Sequence, residues 1–232
     1  MDHLLGKKIN IDWDKQGYEG VVESTIKKYN AMIHTQSAVH CMVELARQNK
    51  IDPDKIVSID AEVFQLAFDF AGGGLYGVDK IIRIKEQADH SLPYLLAVAL
   101  LDGDVTPAQF KADRIIKPDV QSLLKKVSVR PNHEYTELYP GKMPAKITVT
   151  LQHGKVIEHD VQDYPGLASH PFTWEDAVEK FDRLVAGRID EELSREIKNA
   201  VHSVENIQVR DLMTLLGTVK AGRATPASSN AA

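Results

Sequence analysis

Apolar and polar residues alternate strictly in part of the chain. Every second position from Val57 to Val63 is apolar, which predicts a half-buried strand. The apolar phase shifts at Phe64–Gln65, and this shift predicts a β-bulge or bend. Alternation returns in residues 146–151 and 156–161, with the turn signal His153–Gly154 between them. These two segments predict a hairpin within a small antiparallel sheet.

Apolar stripes at helical spacing predict helices in five further segments. They begin near Thr35, His90, Pro107, Pro118 and Thr173. The segment from His90 is the most apolar run of the chain and predicts a buried helix closed by Asp102–Gly103. The stripe of the Pro118 helix reaches Val127. An α+β region through about residue 170 is therefore followed by helices, whose apolar stripes need a surface to pack on.

Composition indicates a globular protein and excludes several kinds of partner and site. The chain has 43% hydrophobic and 26% charged residues and a net charge of −5, which is typical of a globular protein and argues against a nucleic-acid partner. The most apolar run is too short to span a bilayer, so we expect no membrane partner. Cys41 is the single cysteine, which excludes an intramolecular disulfide and an iron–sulfur cluster held by this chain alone. A reducing, cytoplasmic location is expected.

Motifs for nucleotides and metals match poorly. Gly72-x-Gly74-x-x-Gly77 has the spacing of a dinucleotide fingerprint, but residues 78–82 are a poor helix start and nothing indicates a βαβ unit. A flexible loop explains these glycines. No two histidines are spaced i, i+4 and no His-Glu-x-x-His motif occurs, so we expect no metal site.

Two stretches carry residues suited to chemistry. Residues 27–36 place two lysines, an imidazole and an amide before a helix, whose N-terminus adds partial positive charge. Residues 83–94 lead from charged and titratable groups directly into the most apolar helix. Each stretch also has a structural interpretation: the first as a solvated loop, the second as an N-cap at Asp89 beside a surface histidine.

Both stretches resemble segments of one known family. Residues 27–38 resemble the segment that opens the C-terminal half of MmgE/PrpD proteins. Residues 85–94, followed by 97–103, are similar to the most recognisable run of that family. The resemblance extends from about Ile11 to Gly217 and is nearest to the 2-methylcitrate dehydratase branch. Cis-aconitate decarboxylase and iminodisuccinate epimerase belong to the same family.

The resemblance implies a fold in which a large all-helical domain carries a smaller α+β lid. Residues 20–168 would form this lid, a small antiparallel sheet packed with helices. Residues 169–217 would return to the otherwise missing all-α domain, after a lead-in over residues 1–19 and before a disordered tail over residues 218–232. We expect several catalytic groups of the family to lie in that helical half, outside this chain.

The activity that the resemblance implies is water elimination from a tricarboxylate such as 2-methylcitrate or citrate, without cofactor or metal. Such chemistry places the protein in the methylcitrate cycle of propionate catabolism. It needs a base for the carbon acid, cations beside the carboxylate and an acid for the departing hydroxyl. We expect a homo-oligomer, a dimer, that works with a helical partner half. The alternative is a truncated, non-catalytic remnant or a binding module of the same family.

Site roles follow from the resemblance position by position. The catalytic candidates are His34, His90 and Tyr94, and the substrate-binding candidates are Lys27, Lys28, Gln36, Arg83, Lys85 and Asp89. We expect Lys27 or Lys28, His34, Asp89–His90 and Tyr94 to converge on one face. Dehydratase-like members usually carry an acidic residue where Met32 stands. Methionine can neither accept a proton nor pair with a lysine, which puts the choice of substrate or the activity itself in question.

Overall fold

A computed structural model describes residues 24–79 and 81–219. Within these residues the helices and strands are α1 Gln36–Gln48, β1 Ile56–Val63, α2 Gln65–Ala67, α3 Lys85–Ala88, α4 Leu92–Asp102, α5 Ala112–Ile115, α6 Pro118–Leu123, β2 Val127–Pro131, α7 His133–Leu138, β3 Ala145–Leu151, β4 Val156–Val161, α8 Trp174–Val185, α9 Glu191–His202 and α10 Val209–Gly217. The chain divides into two compact units between Phe172 and Thr173, close to the expected boundary at residue 168. The expected lead-in, residues 1–19, and the expected tail beyond residue 219 lie outside the described residues.

The described part of the first unit is an α+β fold around a sheet in the order β2-β1-β3-β4. This confirms the predicted fold class, and the antiparallel pairing of β3 with β4 confirms the predicted hairpin. β1 pairs antiparallel with β3 but parallel with β2, so the sheet is mixed and the purely antiparallel prediction is wrong. A parallel pair needs a crossover connection, which helices α2 to α6 supply between β1 and β2.

The strand β2 begins where the sequence predicted the end of a helix. Helix α6 ends at Leu123, and the 3-10 turn Leu124–Lys126 redirects the chain. Val127 then pairs with Ile59 of β1. Apolar residues keep helical spacing across this turn. The predicted helical stripe therefore ran past the end of the helix and included Val127, which is the first residue of the strand.

The phase shift after β1 has a different cause from the one predicted. The chain leaves the strand at Val63 and enters α2 at Gln65, so the apolar period changes without a bulge. The irregular register lies at the other end of β1, between Ile56 and Ser58. It leaves Val57 exposed, whereas Ile56 and the inward-facing residues after it are buried.

Helix α4 lies at the centre of the core, as its continuous apolar run predicts. Its residues from Leu92 to Leu100 are all buried. Ser91 caps the N-terminus, where its Oγ accepts the backbone N–H of Tyr94 at 3.3 Å, and Gly103 ends the helix at φ 73°. Helix α1 packs on α4 and on β3 and β4. The polar residues before Ser91 are thus attached to the start of a helix that is buried on all sides.

The second unit consists of the helices α8, α9 and α10 within the described residues. Thr173 and Asp176 form the predicted capping box, which starts α8. Large apolar side chains of this unit remain exposed, among them Val209 at 76% and Met213 at 59%. No helix of the described residues is long and apolar enough to cross a membrane.

Candidate functional site

A cavity of about 400 Å³ lies between two polar segments of the first unit. The segment before α1 and the segment from α3 to the start of α4 line it. The lining residues are Lys27, Asn30, Ala31, Met32, Ile33, Lys85, Asp89 and His90. Four of the predicted site residues, Lys27, Lys85, Asp89 and His90, therefore meet in one cavity. Asn30 is a lining residue that the sequence did not single out, because an asparagine in a loop has an ordinary turn interpretation.

The Asp89 carboxylate joins two of these groups. Its Oδ2 accepts from Lys85 Nζ at 2.9 Å, across one turn of helix, and its Oδ1 lies 2.5 Å from His90 Nδ1. The hydrogen bond and the charge of Asp89 raise the pKa of Lys85, so the ammonium stays charged at neutral pH. With the Nδ1 proton donated to Asp89, the Nε2 of His90 is the nitrogen that can take or give a proton.

The other segment adds both charge and apolar surface to the cavity. Lys27 supplies a cation, while Ala31, Met32 and Ile33 supply hydrocarbon. A 3-10 turn begins at Ile33 and continues into α1, so the partial positive charge of a helix N-terminus lies at this side. The cavity thus combines apolar walls with two lysines and one carboxylate, an excess of positive charge that suits a small anion with a hydrocarbon skeleton.

Gln36 and Tyr94 do not reach the cavity, and the expectation that they face substrate is corrected. The Gln36 side chain is fully buried and its amide bonds three backbone groups of the loop before α1. The Tyr94 side chain is also fully buried, and its hydroxyl donates to the Gln109 carbonyl. Burial raises the pKa of Tyr94 to about 12, so its phenol remains protonated inside the core.

Three further predicted residues lie away from the lining of this cavity. The His34 ring stacks on Phe70, with ring centres 5.9 Å apart, and burial lowers its pKa. Lys28 lies near His40, where its charge acts on that imidazole. Arg83 is exposed, and its backbone N–H donates to Gln87 at 3.0 Å. Lys27 and Asp89–His90 therefore line one cavity, whereas His34 and Tyr94 do not.

Comparison with known proteins identifies the family to which the chain belongs. The profile of the MmgE/PrpD C-terminal domain matches residues 29–206. The chain belongs to the MmgE/PrpD family. A cis-aconitate decarboxylase of Mus musculus is 25% identical over 136 residues, which are 57% of this chain and 27% of that protein. A cis-aconitate decarboxylase of Homo sapiens is 26% identical over 138 residues, again 57% of this chain and 27% of the relative. The matches thus cover about a quarter of these relatives.

Within this MmgE/PrpD domain a second cavity of about 470 Å³ shares His90 with the first. The glycine-rich loop from Gly73 to Asp79 lines it, together with Gln87 and Ser91. Of the glycines that resembled a dinucleotide fingerprint, Gly77 has a φ of 74°. A Cβ atom at Gly72 or Gly74 would lie within 3 Å of Val129 or Asp69, so close packing requires glycine there. In the described residues no group of three histidine, cysteine, aspartate or glutamate side chains is placed to hold a metal ion.

His40 is expected to make the MmgE/PrpD domain sensitive to acid. Its Nδ1 lies 2.9 Å from the Tyr29 hydroxyl, and burial together with the charge of Lys28 lowers its pKa to about 4. An unfolded histidine titrates near pH 6.5, so between these values the unfolded chain binds a proton that the folded chain excludes. The free energy of unfolding should fall by about 2 kcal/mol from this group between pH 6.5 and 4.

Urea unfolding at a series of pH values measures this loss. Glu44 opposes the shift, while the charges of His159 and His170 add to it. The variant His40→Gln should therefore lose less stability than the unmodified chain between pH 6.5 and 4.5. An identical pH profile for the two proteins would contradict a buried, neutral His40.

Proposed function

We propose that this chain is the substrate-binding α+β part of a cofactor-independent lyase that acts on tricarboxylates of the citrate and cis-aconitate type. Membership of the MmgE/PrpD family and the similarity to proteins named cis-aconitate decarboxylase support this class of reaction. The single observation that carries the proposal is the cavity in which Lys27, Lys85 and the Asp89–His90 pair meet. A hydro-lyase of the 2-methylcitrate dehydratase branch is the first form of this proposal.

The residues of the cavity match the needs of that chemistry. Lys27 and Lys85 would bind carboxylates through charge-assisted hydrogen bonds, which are stronger than neutral ones. His90 would transfer the proton through Nε2, while Asp89 fixes the tautomer and stabilises the imidazolium that forms. Because Asp89 also bonds Lys85, one carboxylate orients both the acid–base group and a substrate-binding cation.

In water elimination, the base removes the proton from the carbon next to a carboxylate. The electron pair of that C–H bond forms the C=C bond, and the C–O bond breaks as an acid protonates the departing hydroxide. Negative charge builds on the carboxylate beside the reacting carbon, where Lys27 or Lys85 would stabilise it. The second proton donor is a group that we assign to the helical half of the enzyme.

Decarboxylation of cis-aconitate is the second candidate, and Met32 favours it. Met32 lines the cavity in the place where dehydratase-like members carry an acidic residue. Decarboxylation breaks a C–C bond, releases CO₂ and needs one proton on the resulting carbanion, but it needs no acid for a leaving hydroxyl. A site with one acid–base histidine and no carboxyl group at position 32 can supply the single proton that decarboxylation needs.

Partners complete the proposal. The exposed apolar side chains of the second unit, such as Val209 and Met213, would pack against the helical half of the enzyme. We further propose a homo-oligomer in the cytoplasm. The chain by itself is expected to turn over little substrate, because a half-open site admits water that weakens every charge interaction in it.

Isothermal titration of the chain with citrate and with cis-aconitate tests the proposed function. The variant Lys85→Met should weaken binding of both by about tenfold through loss of one charge-assisted hydrogen bond. Lys155→Met, at the exposed hairpin turn, is the matched control and should bind like the unmodified chain. Equal binding by the two variants would contradict the proposal.

Assays with the helical half added distinguish the two candidate reactions, because decarboxylation releases CO₂ and water elimination does not.

A further inference from the structure

Gln36 holds the loop that forms one side of the cavity. Its Oε1 accepts the Tyr29 N–H at 2.9 Å, and its Nε2 donates to the carbonyls of Tyr29 and Ala31 at 3.1 Å each. Both amide donors are therefore in use, and the side chain is fully buried at the first turn of α1. A buried amide with these bonds has no donor left for a ligand.

The segment held in this way carries five lining residues of the cavity. Lys27 precedes the bonded residues, and Asn30, Ala31, Met32 and Ile33 lie among or after them. The segment has no regular strand or helix of its own before Ile33. Its backbone polar groups therefore need partners outside a regular element. The Asn30 N–H donates to the Val105 carbonyl at 2.9 Å, and Gln36 bonds three further groups in the interior of the fold.

Gln121 forms the same pattern of bonds at another place. Its Oε1 accepts the Ile82 N–H at 3.3 Å, and its Nε2 donates to the carbonyls of Ile82 and Ile115 at 2.7 and 2.8 Å. Neither Ile82 nor Ile115 lines the 400 Å³ cavity. Gln121 is therefore a control for Gln36. Its loss removes the same number of hydrogen bonds and should lower stability without changing a lining residue of the cavity.

We propose that Gln36 is a positioning residue that sets the geometry of the anion-binding cavity, by fixing the Lys27–Met32 segment relative to Asp89 and His90. The inference rests on the proposed function for the identity of the anion. A misplacement of about 1 Å in such a site lowers reactivity by about 10²-fold, so a loosened loop weakens recognition even though every charged group is still present.

The test compares Gln36→Leu with Gln121→Leu in the full chain. Leucine has nearly the volume of glutamine, so each variant loses its three hydrogen bonds with little change in packing. We expect both variants to lower the melting temperature, and Gln36→Leu to lower it more, because Gln36 is fully buried and Gln121 is partly buried. Citrate affinity should fall by about tenfold or more in Gln36→Leu alone, and hydrogen exchange should accelerate in residues 27–33 of that variant. Gln36→Asn, a neutral amide too short to keep all three bonds, replaces Gln36→Leu if the latter does not fold.

The outcomes separate the two proposals. Equal citrate affinity in the Gln36 and Gln121 variants would overturn the positioning role, as would equal hydrogen exchange of residues 27–33. Failure of the unmodified chain to bind citrate or cis-aconitate would instead overturn the proposed function. The exchange measurement needs no ligand and decides in either case whether Gln36 fixes this loop.

Discussion

Replacing His90 by glutamine is expected to lower the turnover of tricarboxylate by about 10² to 10⁴-fold. The assay uses this chain together with the helical half of a family member, which is the proposed complete enzyme. Glutamine keeps a hydrogen-bond donor near Asp89 but cannot take a proton. The substitution therefore removes proton transfer without removing a side chain from the wall of the cavity. Substrate affinity should change much less than kcat, because Lys27 and Lys85 remain in place.

His133→Gln is the matched control for this substitution. His133 is the first residue of α7 and is exposed, and it lines neither cavity described here. Its variant should keep the turnover of the unmodified enzyme. Turnover that survives in His90→Gln would assign the proton transfer to another group and remove the central role of the Asp89–His90 pair.

Replacing Leu96 by alanine is expected to lower the free energy of unfolding by about 2 to 5 kcal/mol. Leu96 lies in the middle of α4 and is 0% exposed, so its loss leaves a cavity at the centre of the core. Leu138→Ala, at the end of α7 with Leu138 43% exposed, should cost much less. Urea unfolding of both variants measures the difference, and equal losses would contradict the central position of α4.

Much of the fold could be predicted from local pattern. The period-two alternation predicted β1, β3 and β4, because β1 and β3 are buried on one face and alternate residues of β4 are partly buried. The run of apolar residues predicted α4, which is buried on all sides. The parallel strand β2 could not be predicted in this way. It is five residues long, has only Val127 buried, and follows a helix whose apolar stripe continues into it.

The predicted site residues are of two kinds, those placed by local sequence and those placed by the fold. Lys85, Asp89 and His90 lie close together in sequence at the start of α4, so local geometry brings them into contact. The placement of Gln36, His34 and Tyr94 depends on tertiary packing. All three are predicted site residues. The side chains of His34 and Tyr94 are held in the fold by residues distant in sequence, and that of Gln36 is held by the loop just before its helix.

Amide chemical shifts of the isotope-labelled chain, recorded during titration with cis-aconitate, test whether the cavity binds a tricarboxylate. We expect saturable shifts in residues 27–33 and 85–90, the two segments that line the cavity. The same titration of Lys85→Met should show these shifts at about tenfold higher ligand concentration. Absence of saturable shifts, or shifts confined to other parts of the first unit, would contradict a tricarboxylate site between these segments.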